Sequence, residues 1–244
     1  MTGGMTVQEY LMHCFGGKRG GRRCKLNEIY VNRPPSDRKI EKARKSRFVC
    51  GHFSWASIER FGRGEGDYIF TFLREPRSRL RSFHRFMTNY PEDHLNENVQ
   101  DRVKMCQNMS QCDMFTTANL DLRNMIDNYM VRQLSGHLTD YPIQESAWPS
   151  LLETAKRNLE SMNYVGLQET YEADFAVIMR ELNMPCLTPI PRENAIEEVV
   201  KRAAFKSKTY SENSADVRAA MAPLVRWDAL LYRHALALRE ARAA

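Results

Sequence analysis

Between Tyr68 and Phe86 the apolar positions change period. Tyr68-Ile-Phe-Thr-Phe-Leu73 is an apolar run rich in β-branched and aromatic side chains, the pattern of a buried strand. From Pro76 onward, Leu80, Phe83 and Phe86 or Met87 recur at helical spacing and mark one apolar stripe. Pro76 suits the first helical position, where its missing N–H costs no hydrogen bond and its φ is already helical. Steps of four residues place Arg74, Ser78 and Ser82 toward a different face.

The same reading extends along the chain. Phe48 to Cys50 is a short strand broken by Gly51, with His52 emerging at its end. Tyr164-Val-Gly-Leu167 is another strand, followed by Glu169 and a helix from Tyr171 to Leu182. Leu120 to Leu134 reads as one helix stopped by Gly136, and Pro149 opens another that runs through Leu159. Ser214 caps a closing helix in which Leu224, Trp227, Leu230, Leu231 and His234 continue the apolar pattern. Residues 88–120 are polar and irregular, short helices and loop. Residues 16–27 hold four glycines and five basic side chains, which reads as a flexible basic loop. At the start, Thr2, Gly3, Gly4 and Thr6 form a tight turn feeding a helix from Val7, with backbone N–H groups turned toward an anion. There are no internal repeats, and strand–helix alternation predicts a single α/β domain over residues 1–244.

Composition narrows the partners. The 244 residues are 43% hydrophobic and 27% charged, ordinary for a globular chain, and long enough for one full core. A net charge of +6 favours polyanions: nucleotide, nucleic acid, anionic glycan or anionic membrane. No apolar window of membrane-spanning length occurs, and the first fifteen residues lack the apolar segment of a signal peptide. The six cysteines show no zinc spacing, so no metal is expected. Cys106 and Cys112 bracket a loop containing the glycosylation sequon Asn108-Met-Ser110. A disulfide there suits a lumenal protein, and two free thiols suit a cytosolic one.

Strand, Arg74, turn and helix put a guanidinium and hydroxyls beyond the carboxyl end of a strand, where open α/β sheets bind ligands. Arginine offers a rigid fork to phosphate oxygens, and Ser82 can add one hydrogen bond. Arg74-Glu-Pro-Arg-Ser-Arg79-Leu-Arg-Ser82 resembles the 3′-phosphate motif of sulfotransferases that use 3′-phosphoadenosine 5′-phosphosulfate (PAPS). The nearest branch is the Golgi carbohydrate enzymes, including heparan sulfate 2-O- and chondroitin sulfotransferases. Glu75 stands where that family carries Asp.

The resemblance implies a P-loop-NTPase-like parallel sheet flanked by helices, with PAPS as donor cosubstrate and an anionic glycan as acceptor. Arg74 and Ser82 would hold the 3′-phosphate, and Arg79 would support the corner. Thr2, Gly3, Gly4 and Thr6 fall on the loop that cradles the 5′-phosphosulfate. Met1 falls at the position of the catalytic lysine and the preceding strand is missing, so the chain is expected to be N-terminally incomplete. Gly51-His52 matches the pair that supplies the proposed catalytic base, although Cys50 replaces that family's upstream histidine. By the same resemblance Arg79, Asn128 and Arg132 are candidate contacts in the cleft to nucleotide or acceptor, with the alternative that Arg132 only holds the cleft together. Val165-Gly-Leu-Gln-Glu169 and Trp227-Asp-Ala-Leu-Leu-Tyr232 match structural segments, with Glu169 as a partner for a basic residue. The implied setting is the Golgi lumen, as a glycoprotein that is membrane-anchored in full-length form. Two other functions fit the residues: an impaired homologue or fragment that binds nucleotide or sulfated polysaccharide without turnover, and a basic nucleic-acid-binding protein. The latter lacks any recognition-helix, zinc or aromatic-strand signature.

Overall fold

The computed structural model describes residues 11, 23–27, 33–89, 97–185 and 214–243. Thr2, Gly3, Gly4 and Thr6 lie outside them, as does Met1, so the expected phosphosulfate loop has no structural account.

The described residues are mostly helical, and their four strands form two separate parallel pairs. β1 (Arg23–Asn27) pairs with β2 (Phe48–His52), with Arg23 opposite Phe48 and Asn27 opposite His52. β3 (Phe70–Leu73) pairs with β4 (Tyr164–Leu167), with Phe70 opposite Tyr164 and Leu73 opposite Leu167. This corrects the expected continuous α/β sheet. The physical reason lies between β3 and β4, where the described residues form helices and build helix-on-helix cores instead of further βα units.

Those helices are α3 (Pro76–Asn89), α4 (Glu97–Cys106), α5 (Gln111–Thr116), α6 (Leu120–Ile126), α7 (Tyr129–Ser135) and α8 (Trp148–Glu160). Ahead of them come α1 (Asp37–Arg44) and α2 (Trp55–Phe61); after them come α9 (Tyr171–Glu181) and α10 (Ala215–Ala243). One core gathers Leu80, Phe83 and Met87 of α3 with Met114, Phe115, Leu122 and the first half of α10. A second packs Trp55, Leu73, Val165 and Leu167 against α7, α8 and the second half of α10. The opposite face of the β3–β4 pair meets α9 through Phe72, Phe175, Ile178 and Met179, joined by Leu11. The β1–β2 pair has a smaller core of Cys24, Leu26 and Ala43. Phe53 and Phe61 touch both that core and the second, and their rings meet edge to face at 6.0 Å.

Several local expectations change. Residues 23–27, read as the end of a basic loop, are strand β1, with Cys24 and Leu26 buried. Gly51 does not end its strand, since β2 continues through it at φ 131° to His52. The expected helix from Leu120 to Leu134 is two helices, broken at Asp127 and Asn128. Asn128 is left-handed (φ 41°), and Gly136 closes α7 at φ 91°.

α10 contains Pro223, which removes one backbone donor from the ladder. Asn128 inserts at that turn. Its Oδ1 accepts the N–H groups of Trp227 (2.8 Å) and Asp228 (3.2 Å), and its Nδ2 donates to the Pro223 carbonyl at 3.1 Å. The Asn128 N–H donates to the Leu224 carbonyl at 2.7 Å. In return Asp228 of α10 accepts the N–H groups of Met130 (3.2 Å) and Val131 (2.9 Å), capping the first turn of α7. The break between α6 and α7 and the proline turn of α10 thus satisfy each other's backbone groups, as burial requires.

No helix among the described residues is long and apolar enough to cross a membrane, which corrects the membrane character that the resemblance implied. Cys106 and Cys112 are free thiols, and burial pushes Cys106 up to about 11.

Candidate functional site

The parallel pairing of β3 and β4 brings their carboxyl ends together, and the residues that follow interlock. The Glu75 N–H donates to Glu169 Oε1 at 2.9 Å, while Tyr232 of α10 donates to Glu169 Oε2 at 3.0 Å. The Glu75 carboxylate turns back onto its own helix and accepts the N–H groups of Arg77 (3.0 Å) and Ser78 (2.6 Å). Burial opposes its charge, yet these hydrogen bonds hold Glu75 below the usual carboxylate range. The first turn of α3 is therefore capped from within, and its free N–H groups, expected to favour an anion, are largely taken by Glu75.

Arg74 is partly buried at this corner. Withdrawal from water lowers its pKa, the Glu169 charge opposes that, and the positive charges of Arg85 and Arg81 lower it further. Just beyond it, on α3, Ser78, Arg81, Ser82 and Arg85 follow at helical spacing and are all partly buried. Arg81 donates to Ser78 Oγ at 3.3 Å along it. Arg74 stands at the carboxyl end of β3, and Ser82 on this partly buried face of α3.

Arg79 lies elsewhere. At 7% exposure it belongs to the interior, where it donates to the carbonyls of Met125 (3.4 Å) and Ile126 (3.1 Å) at the end of α6. Its guanidinium sits 4.8 Å from the centre of the Tyr129 ring. Burial lowers its pKa and the Asp228 carboxylate raises it. A buried cation at a helix carboxyl end satisfies carbonyls and the helix dipole together. Arg132 is fully buried too, donating to the Asn124 carbonyl at 2.7 Å, to Asn124 Oδ1 and to the Leu138 carbonyl, and stacking on Tyr141 at 5.0 Å. Burial pushes it down to about 10. Asn128 is committed to α10. Of the possible cleft contacts, Arg79, Asn128 and Arg132 are all buried and donate to interior carbonyls, the arrangement of residues that hold the framework together.

His52 ends β2 in the other strand pair, partly buried. Burial pushes its pKa down to about 4, and the Lys25 charge on the adjacent strand adds to that. The imidazole is neutral at pH 7 and can accept a proton, though so low a pKa leaves little driving force for abstraction.

Two groups escaped the sequence reading. Tyr232, taken as packing, positions Glu169 and through it the Arg74 corner; nothing in its helical pattern signals this. Arg81 and Arg85 were visible as basic residues at helical spacing from Arg74, which was the available signal. A surface depression beside α1 and α2, lined by Asp37, Ile40, Glu41, Arg44, Glu59 and Arg60, holds mixed charges that pair internally, as in Arg60–Asp37 at 2.9 Å. Among the described residues no group of three or more His, Cys, Asp or Glu side chains is placed to hold a metal ion. No model of a known protein family matches the chain, and no curated protein matches it.

Proposed function

We propose that this chain binds the 3′-phosphate of a nucleotide through Arg74 and Ser82 and transfers the sulfuryl group of PAPS to a hydroxyl of an anionic glycan. One observation carries the reading: Arg74, partly buried at the carboxyl end of β3, feels the charges of Arg81 and Arg85 on α3, where Ser82 follows Arg81, with Glu75 and Glu169 interlocked beside it. An arginine removed from water binds phosphate more strongly than an exposed one, because both charges escape solvent screening.

In this reading the acceptor hydroxyl gives its proton to neutral His52 as its oxygen attacks sulfur. The bond between sulfur and the 5′-phosphate oxygen breaks, and 3′-phosphoadenosine 5′-phosphate leaves. Arg74 and Ser82 act at a distance from the reacting atoms, and their binding energy positions the donor.

A second reading is binding without turnover, and the low basicity of His52 favours it. Calorimetric titration of the folded chain with 3′-phosphoadenosine 5′-phosphate tests the first step. Micromolar binding is expected, with Arg74→Ala weakening it by roughly 10- to 100-fold, the worth of a charge-assisted hydrogen bond. A folded chain with no affinity sinks the assignment. Transfer of labelled sulfate from PAPS to heparan or chondroitin chains, lost in His52→Ala, separates the two readings.

A further inference from the structure

We infer that Arg81 and Arg85 join Arg74 to form a charge-selecting locus for a fully ionised phosphate monoester, discriminating against singly charged groups such as phosphodiesters. The inference rests on the nucleotide reading above and names two binding residues beyond Arg74 and Ser82.

Glu75 occupies the N–H groups of Arg77 and Ser78 in the first turn of α3, so an anion at this corner depends on side chains for its positive charge. Three guanidiniums serve. Arg81 and Arg85 stand four apart on one face of α3, both partly buried, and their charges bear directly on the Arg74 guanidinium just ahead of the helix. The Ser78 hydroxyl holds Arg81 on that face.

Two carboxylates lie nearby, Glu75 and Glu169; their hydrogen bonds go to the backbone N–H groups of residues 75, 77 and 78 and the Tyr232 hydroxyl, but their charges still act on Arg74, so the corner sets three guanidiniums against two carboxylates. Three like charges at one corner repel one another. A doubly charged phosphate relieves that repulsion at each guanidinium, whereas a single negative charge relieves about half as much. The monoester carries its second charge only above a pKa of about 6. Selection of the dianion follows from the clustering and does not require that any arginine lack a protein partner.

The test compares adenosine 3′-monophosphate with adenosine 2′,3′-cyclic monophosphate, which has the same base and sugar but a single negative charge. Wild-type protein at pH 7.5 is expected to prefer the monoester by roughly tenfold or more, and to lose most of that preference at pH 5.5. Arg81→Gln and Arg85→Gln should each weaken monoester binding about five- to tenfold and the cyclic ester only about two- to threefold. Arg81→Lys and Arg85→Lys should keep much of the preference, because they keep the charge. Both arginines are partly exposed, so circular dichroism and unfolding midpoints should match wild type. If the folded wild type binds neither the monoester nor 3′-phosphoadenosine 5′-phosphate, the nucleotide reading itself fails. If wild type binds the monoester and the Gln variants bind it equally well, only the charge-selecting locus is overturned.

Discussion

Asp228 shows how one buried side chain ties stability to pH. It is 1% exposed, caps the first turn of α7 and feels the charges of Arg79 and Asp127. Burial raises its pKa from 3.8 to about 6, more than Arg79 and the two backbone hydrogen bonds lower it. Between about pH 4 and 6 the folded chain keeps a proton that the unfolded chain has released. Stability from this group is full below pH 4 and declines as pH rises toward 6, by roughly 2–3 kcal/mol. Asp228→Asn should remove that decline, so urea midpoints of wild type and variant should diverge in shape between pH 4 and 6. Parallel curves would assign the proton to another group. Arg79, Asn128 and Arg132 carry the same lesson about reading a sequence. Their residue types and helical spacing are visible, but the carbonyls that claim them belong to Met125, Ile126, Leu138 and Pro223. The Asn128–Pro223 bond spans 95 residues, and nothing local to Asn128 announces it.

At the level of elements, legibility followed periodicity. β3, α3, β4 and α9 were visible because their apolar positions keep one period long enough to register. β1 was missed although Cys24 and Leu26 alternate with Arg23 and Lys25, a period of two; the neighbouring glycines and charges outweighed five residues of pattern. Gly166 in β4 makes a sharper case. A Cβ there would lie 2.6 Å from Cε1 and 2.8 Å from Cδ1 of Phe72, whose ring packs on Tyr171 at 5.3 Å. The glycine marks a close approach within a strand. Gly166→Ala should destabilise the protein by about 1–3 kcal/mol through overpacking. Phe72→Leu in the same chain should restore part of that loss, which a double-mutant cycle in urea would register.

At the scale of the whole molecule, α10 joins parts that the sequence keeps far apart. Its first half lies in the α3–α5 core and its second half in the core of the β3–β4 pair. Arg239 grips Asp174 with both nitrogens, at 2.7 and 2.9 Å, and donates to the Val165 carbonyl. Asp174 in turn accepts the Leu167 N–H, the Thr170 hydroxyl and the Tyr164 hydroxyl. Arg239→Met keeps the aliphatic reach and leaves the buried carboxylate without its charge partner. A loss of about 3 kcal/mol is expected, measured as a lower urea midpoint. Asp174→Asn in the same background should recover part of it, because the uncompensated charge is then gone. The two-pair arrangement of strands was not legible. Strand–helix alternation says which residues form strands but is silent on which edges meet.

The bond from Tyr232 to Glu169 also orders events in time. A ribosome releases the chain from the amino end, so Arg74 emerges long before the residue that steadies its corner. Until α10 has left the tunnel, Glu169 lacks its tyrosine, Asp174 its arginine and Asn128 its proline turn. A nascent chain stalled before residue 232 can hold α3 and β3, but the Arg74 corner is left without its last support. The geometry of that corner is among the last features the growing protein acquires.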